Sequence, residues 1–374
     1  MLGSYKILVV KVDGQVEEII DEEDAGEDVE ILPGILSPGF INAHCHLELS
    51  HMKGLIPERT GLVNFVHKVV NERHHAEEEI CSAIESAENE MLANGIVAVG
   101  DICNNLLTLP QKLKERLAYY NFIEASGWLP SVAWPRFERA VNIYNRFQSA
   151  NSSIVPHAPY SVSEELWNLI TPYFNNKVVS IHNQESLFED EFFLHGTGDL
   201  IRMYEMMKID NSHHQPTKKS SLQTYFSKLS GAASIILVHN TFITQGDIDF
   251  IKREITAGPQ TFFCLCINAN QYIETAVPPV AMLIENDCNI ILGTDSTASN
   301  RGLNILDEMR SIQKNFPNVT LQTMLQWATS NGATALQMNN TLGSFEKGKK
   351  PGVVLIENTE ELQLTTKSSV KRIL

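Results

Sequence analysis

Short runs of β-type residues alternate with longer helical stretches through most of this chain, and this alternation limits the folds open to it. Eight such runs occur between residues 39 and 295: GFINAH, GIVAVGDI, AYYNFIEAS, SSIVPHAP, KVVSIHN, ASIILVHN, TFFCLC and NIILGTD. A regular alternation of strand and helix predicts parallel strands joined by crossover helices. Eight units predict an α/β fold of the (β/α)8 TIM-like barrel type, with a doubly wound open sheet as the alternative.

The two ends of the chain contain residues typical of β-strands, without the alternation of strands and helices. We expect residues 1–36 and 343–374 to form a small β-sandwich together, with the barrel of residues 37–342 inserted between them. Residues 17–30 carry nine carboxylates, which predicts a solvated hairpin or loop, the alternative being an acidic metal or partner site. Residues 183–231 are too long for a loop with one helix, so we expect an insertion after the fifth strand, acting as a lid.

Composition narrows the class of partners. The 374 residues carry a formal net charge of -16, which disfavours binding to a phosphate backbone, so we expect no nucleic acid partner. No apolar run reaches the length that a bilayer requires, so we expect no membrane partner. The six cysteines are scattered through the chain, which favours reduced thiols and a cytoplasmic location. Composition alone is compatible with a small-molecule substrate but does not identify one.

Two histidines separated by one residue end the first strand of the barrel region, in the stretch PGFINAHCHLELS. Residues two apart in a strand point to the same side, so His44 and His46 share a face and can chelate one metal ion. The alternative is a pair of ordinary strand-end histidines. Four further strand ends carry groups that can bind a metal: His157, His182, His239 and Asp295. Because the active sites of such barrels lie at the C-terminal ends of the strands, we expect these groups to face one mouth.

The combination of motifs resembles the amidohydrolase superfamily, and within it the mononuclear nucleoside and nucleobase deaminase branch. The matching stretches are PGFINAHCH, HAPYSVS, HNQES, HN at residue 239, LGTDSTASN and LGSFEKGKKPGVVLI. The stretch HLELS is also similar to the aminodeoxyfutalosine deaminases, and the chain as a whole resembles deaminases of S-adenosylhomocysteine and methylthioadenosine. One stretch departs from the pattern, because CLCINANQYIE keeps only Cys266 and Asn270 of a Cys-Pro-x-Ser-Asn motif.

The resemblance implies a set of metal ligands. These are His44, His46, His182 and Asp295, which would hold one divalent metal with an open position for water, Zn²⁺ being favoured and Fe²⁺ the alternative. Binuclear members of the superfamily use a carbamylated lysine after the fourth strand. Here the corresponding stretch reads VPHAPY, without a lysine, so the resemblance implies a single catalytic metal.

The same resemblance implies roles around the metal. Glu185 would shuttle protons, His239 would hydrogen-bond the attacking hydroxide, and Asp295 would also accept a proton from water. Glu48 and His157 would contact the substrate. The plainer alternatives are a solvated loop carboxylate for Glu185, a core histidine for His239, a structural turn at His157 and a partner of a ligand histidine for Glu48.

The implied function is hydrolytic deamination of an aminated heterocycle by a metal-bound hydroxide. The expected substrate is a 6-aminopurine nucleoside or a 5'-modified adenosine derivative. The alternative is amidohydrolase- or chlorohydrolase-type hydrolysis of another C–N or C–Cl bond in a cyclic substrate. A third class is a binding or scaffold protein that has lost its catalytic activity. The intact set of metal-binding groups argues against this class.

Because related enzymes often associate, a homodimer is compatible with the resemblance.

Overall fold

Parallel strands form the centre of the computed structural model, which describes residues 6–147, 151–254 and 258–374. The strands of these residues are β1 (Lys6–Val10), β2 (Val16–Asp21), β3 (Ile35–Pro38), β4 (Phe40–Cys45), β5 (Ile96–Cys103), β6 (Ala118–Ala125), β7 (Ser152–Pro156), β8 (Val178–Asn183), β9 (Ser234–His239), β10 (Gln260–Leu265), β11 (Asn289–Leu292), β12 (Val353–Glu357) and β13 (Ser369–Arg372). The α-helices are α1 (Leu62–Glu72), α2 (Glu77–Ala93), α3 (Leu109–Lys112), α4 (Ala133–Phe147), α5 (Glu164–Ile170), α6 (Leu187–His195), α7 (Asp199–Met206), α8 (Ser221–Tyr225), α9 (Gln245–Glu254), α10 (Ile267–Ile273), α11 (Val280–Glu285), α12 (Ile305–Asn315), α13 (Leu321–Gln326) and α14 (Gly332–Ala335).

Eight of these strands form two parallel four-stranded sheets that meet along two seams. The sheet orders are β4-β5-β6-β7 and β8-β9-β10-β11. At one seam, a bridge pairs Cys45 with Asp295, and the Thr294 amide donates to the His44 carbonyl at 3.1 Å. At the other, the His182 amide donates to the His157 carbonyl at 3.0 Å. The predicted (β/α)8 barrel is confirmed, and the doubly wound alternative is wrong.

The barrel strands read as continuous apolar runs because helices cover their outer face while side chains fill the interior. Every residue of β4, β5, β8 and β9 is buried. Polar residues within these runs therefore require an explanation, since a buried polar group needs a partner. Most of them gather at the C-terminal ends of the strands, which identifies that face as the candidate functional face.

The two ends of the chain pair with each other outside the barrel. Strand β12 lies between β3 and β13 in an antiparallel three-stranded sheet, and β1 pairs with β2. The amide of Val16 in β2 donates to the carbonyl of Lys349 at 2.8 Å, which ties the N-terminal hairpin to the C-terminal segment. All nine carboxylates of residues 17–30 are exposed to solvent.

The long segment between β8 and β9 forms helices α6, α7 and α8 and contributes a wall over the mouth of the barrel. Helix α7 packs against α1. The ring of Tyr204 in α7 stacks on Trp128 at 5.4 Å between centroids, and the Trp128 Nε1 atom donates to the Asn211 side chain at 2.7 Å. Within the described ranges, none of the helices combines the length and apolar character needed to cross a membrane.

Candidate metal centre

Three imidazoles and one carboxylate converge at the C-terminal mouth of the barrel. His44 and His46 stand at the end of β4, His182 in β8 and Asp295 after β11. The Nε2 atom of His46 lies 3.2 Å from that of His44 and 3.3 Å from that of His182. The Asp295 Oδ1 atom lies 3.4 Å from His46 Nε2 and 3.7 Å from His44 Nε2. All four side chains are buried.

This spacing fits a single metal ion. Nitrogen ligands about 2.0–2.1 Å from a tetrahedral metal lie about 3.3–3.4 Å from one another, which is the separation of the imidazole nitrogens here. The Nδ1 atom of His182 donates to the His157 carbonyl at 2.7 Å, which leaves the lone pair of Nε2 directed at the other ligands. Buried lone pairs at this separation repel each other unless a cation lies between them. The residues present therefore fit a divalent metal.

The protonation states also suit metal binding. Burial lowers the pKa of His46 well below its usual value and the pKa of His182 to about 3. For Asp295, burial raises the pKa, but the hydrogen bond with His44 and the neighbouring imidazoles outweigh it, so the pKa is lowered overall. Neutral imidazoles and an ionised carboxylate are the forms that coordinate metals.

Backbone conformation at the strand ends aims these side chains inward. Asp295 and His239 adopt left-handed φ angles of 57° and 74°, which are uncommon for residues with a side chain. The preceding Gly293 faces His44, since a Cβ atom on it would lie 2.9 Å from the His44 Cβ and 3.0 Å from its amide nitrogen. The sequence GTDS thus combines a close approach of two strands with a strained carboxylate, as is common at functional sites.

Glu185 and His239 lie beside the candidate ligands. The Glu185 Oε1 atom is 3.7 Å from His239 Nε2, and both side chains are buried. Burial, followed by the nearby carboxylates of Asp295 and Glu274, raises the pKa of Glu185 well above its usual value. The Nδ1 atom of His239 pairs with Asn270 Oδ1 at 2.8 Å, which fixes the orientation of the ring.

A cavity of about 1170 Å³ opens above this site. Glu48 and His157 both line it, as do Glu185 and Trp128. The backbone leaves the extended conformation directly after His46, because residues 47–52 form a 3₁₀ helix. The His157 Nδ1 atom pairs with Ser161 Oγ at 2.8 Å, which leaves Nε2 as the ring nitrogen available to the cavity.

Glu48 belongs to a buried polar network that sequence reasoning did not foresee. Its Oε1 atom accepts from Arg73 Nη2 at 2.6 Å, and its Oε2 atom accepts from the Asn104 amide at 2.9 Å. The Asn104 side chain in turn donates to Glu124 Oε2 at 2.9 Å. Glu124 stands near the end of β6, in the run AYYNFIEAS, so the rule that points to strand-end polar groups could have found it.

Comparison with known proteins places the chain in a family. The model of the amidohydrolase family matches residues 35–372. An adenosine deaminase of Helicobacter pylori is 26% identical over 327 residues, covering 84% of this chain and 77% of that protein.

Two solved structures share the fold. The Helicobacter pylori aminofutalosine deaminase in complex with methylthio-coformycin matches with a TM-score of 0.78 at 22% identity, covering 95% of this chain and 88% of that one. An atrazine chlorohydrolase from Arthrobacter aurescens, complexed with zinc, matches with a TM-score of 0.71 at 14% identity, covering 96% of this chain and 84% of that one. Since the family match spans nearly the whole sequence, this chain belongs to the amidohydrolase family.

Proposed function

We propose that this protein is a metal-dependent hydrolytic deaminase of a 6-aminopurine nucleoside. The observation that carries the proposal is the convergence of His44, His46, His182 and Asp295 next to the protonatable carboxylate of Glu185. These four side chains would hold one divalent metal, with Zn²⁺ favoured over Fe²⁺. When bound, the metal supplies Lewis-acid activation of the water that attacks the ring carbon bearing the amine.

Glu185 would carry the protons that are transferred during the reaction. Deamination removes both protons of the attacking water in turn, placing one on the ring nitrogen and the other on the leaving amine. A carboxyl group whose pKa is raised by burial can hold a proton near neutral pH and release it again. His239, oriented by Asn270, would hydrogen-bond the attacking oxygen, and Asp295 would accept the second proton of that oxygen before the proton passes to the leaving amine.

The cavity supports a nucleoside rather than a free base. Its volume of about 1170 Å³ exceeds the usual range of roughly 300–1,000 Å³ for small-molecule pockets, so it has room for a sugar and a 5' substituent. His157 presents Nε2 to the purine edge, and Glu48 contributes a carboxylate to the same wall. The names of the adenosine deaminase relative and of the methylthio-coformycin complex agree with this substrate class.

Hydrolysis of a different leaving group is the second candidate. The fold is shared with an atrazine chlorohydrolase complexed with zinc. The name of that enzyme implies that it releases chloride from a heterocycle. The same metal ligands and proton carrier would serve that reaction, because both replace a ring substituent by oxygen. Identification of the released group separates the two.

We further propose a cytoplasmic location and a homodimer, with neither nucleic acid nor membrane as a partner. The six cysteines are all free thiols, which suits a reducing compartment. The net charge of -16 opposes association with polyanions.

The deciding experiment measures ammonia release by zinc-loaded protein. The panel comprises adenosine, 5'-methylthioadenosine, S-adenosylhomocysteine, aminodeoxyfutalosine, guanine and cytosine, with atrazine added to test for chloride release. Turnover of one adenosine derivative, with one metal per chain, supports the proposal and identifies the 5' group. Chloride release without ammonia release would replace it by the second candidate.

A further inference from the structure

We infer that Gln184 is a positioning residue that holds Glu185 toward the metal centre. This inference rests on the proposed deaminase function, in which Glu185 carries the protons. Gln184 directly precedes Glu185 and lies two residues after the candidate ligand His182. Its side chain is fully buried, yet it is neither a candidate metal ligand nor a proton carrier.

The backbone at Gln184 explains how one strand end presents both His182 and Glu185 to the cavity. Strand β8 ends at Asn183, and residues three apart in an extended strand point to opposite faces. Gln184 adopts a left-handed φ angle of 43°, which ends the alternation, and both His182 and Glu185 line the cavity. Because this region is unfavourable for residues with a side chain, other contacts must hold the chain in it.

The side-chain amide of Gln184 makes such contacts. Its Nε2 atom donates to Asp190 Oδ2 at 3.0 Å and to Asp247 Oδ2 at 2.9 Å, and its Oε1 atom accepts from the Asn183 side chain at 3.3 Å. The two N–H groups thus meet two carboxylates, one in α6 and one in α9. Hydrogen bonds with a charged partner are roughly twice as strong as neutral ones, so this amide is firmly anchored.

The backbone groups of Gln184 are bonded as well. Its amide donates to Glu189 Oε1 at 3.1 Å, and its carbonyl accepts from the Phe242 amide at 3.0 Å. The hydroxyl of Ser221, at the start of α8, donates to the same Glu189 oxygen at 2.5 Å. Helices α6 and α9 therefore contact Gln184 directly, and α8 contacts it through Glu189. The position of the residue before Glu185 depends on all three helices.

Gln223 offers a matched comparison for the amide of Gln184. Its Nε2 atom donates to the other oxygen of Asp247, Oδ1, at 2.9 Å. Gln223 lies in α8 and does not line the cavity. Removing either amide takes one donor from the same buried carboxylate, but only Gln184 adjoins Glu185 in the chain. A loss of turnover confined to the Gln184 variants therefore reflects the orientation of Glu185 rather than a weakened Asp247.

The first test compares wild type, Gln184→Gly, Gln184→Ala and Gln223→Ala, all loaded with zinc, on the adenosine derivative that wild type deaminates. Glycine adopts the left-handed conformation readily but has no amide to anchor it. We expect both Gln184 variants to lose about 10- to 100-fold in kcat, with KM changed less than about threefold and one zinc still bound per chain. Gln223→Ala should retain the wild-type kcat. A wild-type kcat in Gln184→Gly would overturn the inference, because the anchor would then be dispensable.

A double variant separates positioning from a general loss of structure. In Glu185→Gln the proton carrier is already removed, so a residue that acts only through it has nothing further to lose. Adding Gln184→Gly should lower the residual kcat of Glu185→Gln less than about threefold. A second loss as large as the one in wild type would overturn the role of Gln184 while leaving deamination intact. Gln184→Asn tolerates the left-handed conformation and keeps a shorter amide, so it should lose less than the glycine variant and gives the same comparison if that variant does not fold.

The wild-type result separates this inference from the proposed function. If wild type releases chloride from atrazine instead of ammonia from a nucleoside, the deaminase proposal fails, and the same variants are compared on that reaction, in which Glu185 would also carry the proton. If wild type hydrolyses neither class of substrate, the proposed function and this inference fail together.

Discussion

The Nε2 atom of His239 lies 3.7 Å from the Oε1 atom of Glu185, and the two side chains have pKa shifts of opposite direction. Burial raises the pKa of Glu185 and lowers the pKa of His239. Both shifts favour the uncharged form, so the pair can sit in a closed site without an unpaired charge. A proton added to or removed from Glu185 therefore changes the charge of the site during turnover, as a proton carrier must.

Replacing Glu185 by Gln should abolish proton transfer while keeping the metal. We expect kcat to fall by about 100- to 10,000-fold, the usual contribution of a positioned acid–base group, with one metal still bound per chain. Metal analysis and ammonia release measure the two quantities. Glu191→Gln, in helix α6, which begins just after Glu185, and away from the cavity, is the matched control and should retain turnover. Near-normal kcat in the Glu185 variant would remove this residue from the mechanism.

Asn270 should act by orienting His239. Its Oδ1 atom is 2.8 Å from His239 Nδ1, so Asn270→Ala leaves a buried ring N–H without a partner. We expect kcat to drop about tenfold to a hundredfold with little change in KM. Asn268→Ala, in the same helix α10, removes a side chain that contacts Ser311 instead and should leave kcat unchanged. A rise in KM alone would place Asn270 in substrate binding rather than in orientation of His239.

Metal retention should be nearly independent of pH between about 7 and 5. An imidazole in the unfolded chain takes up a proton below about pH 6.5. In the folded protein the pKa of His182 is lowered to about 3 and that of His46 is also lowered, so protons compete with the metal only in more acidic solution. Equilibrium dialysis followed by metal analysis tests this. Loss of half the metal near pH 6.5 would show that the ligands titrate like exposed histidines.

Gly293→Ala should weaken metal binding through His44. The added Cβ would lie 2.9 Å from the His44 Cβ and from Cys264 Sγ, so the ligand strand must shift. We expect a loss of about 1–3 kcal/mol in the free energy of unfolding, together with a higher Kd for zinc. Denaturant unfolding and competition with a chelator report the two effects. In Gly231→Ala, the control, the new Cβ meets no atom within 4 Å, and the Kd should stay that of wild type. An unchanged Kd in both variants would show that β4 tolerates the displacement.

The barrel was predictable because its signal is local. Each of the eight strands is a continuous apolar run, buried by helices on its outer face and by packed side chains in the barrel interior, and each run in the sequence became a barrel strand. The grouping of His44 with His46 follows from the two-residue period of a strand. The addition of His182 and Asp295 follows from the rule that such sites lie at the C-terminal ends of strands.

Contacts between distant residues were not predictable in the same way. Nothing local signals that the backbone turns into a 3₁₀ helix directly after His46, so the direction of Glu48 could not be read from strand alternation. Its pairing with Arg73 depends on where α1 ends above the mouth of the barrel. Likewise, the bond between Asn270 and His239 joins helix α10 to the end of β9, two elements that are brought together by the pairing of β9 with β10.

The four candidate metal ligands span both seams between the half-barrels. His182 stands at the seam where β7 meets β8, and Asp295 at the seam where β11 meets β4, while His44 and His46 belong to the first half alone. A cation held by all four residues would therefore cross-link the two half-barrels at both seams. Since Asp295 follows the last barrel strand, a nascent chain cannot complete this set of four ligands until almost the whole barrel has been synthesised. Binding of the metal would then indicate that the barrel has closed. Removing the metal with a chelator should weaken the contact between the two halves of the barrel before either half unfolds.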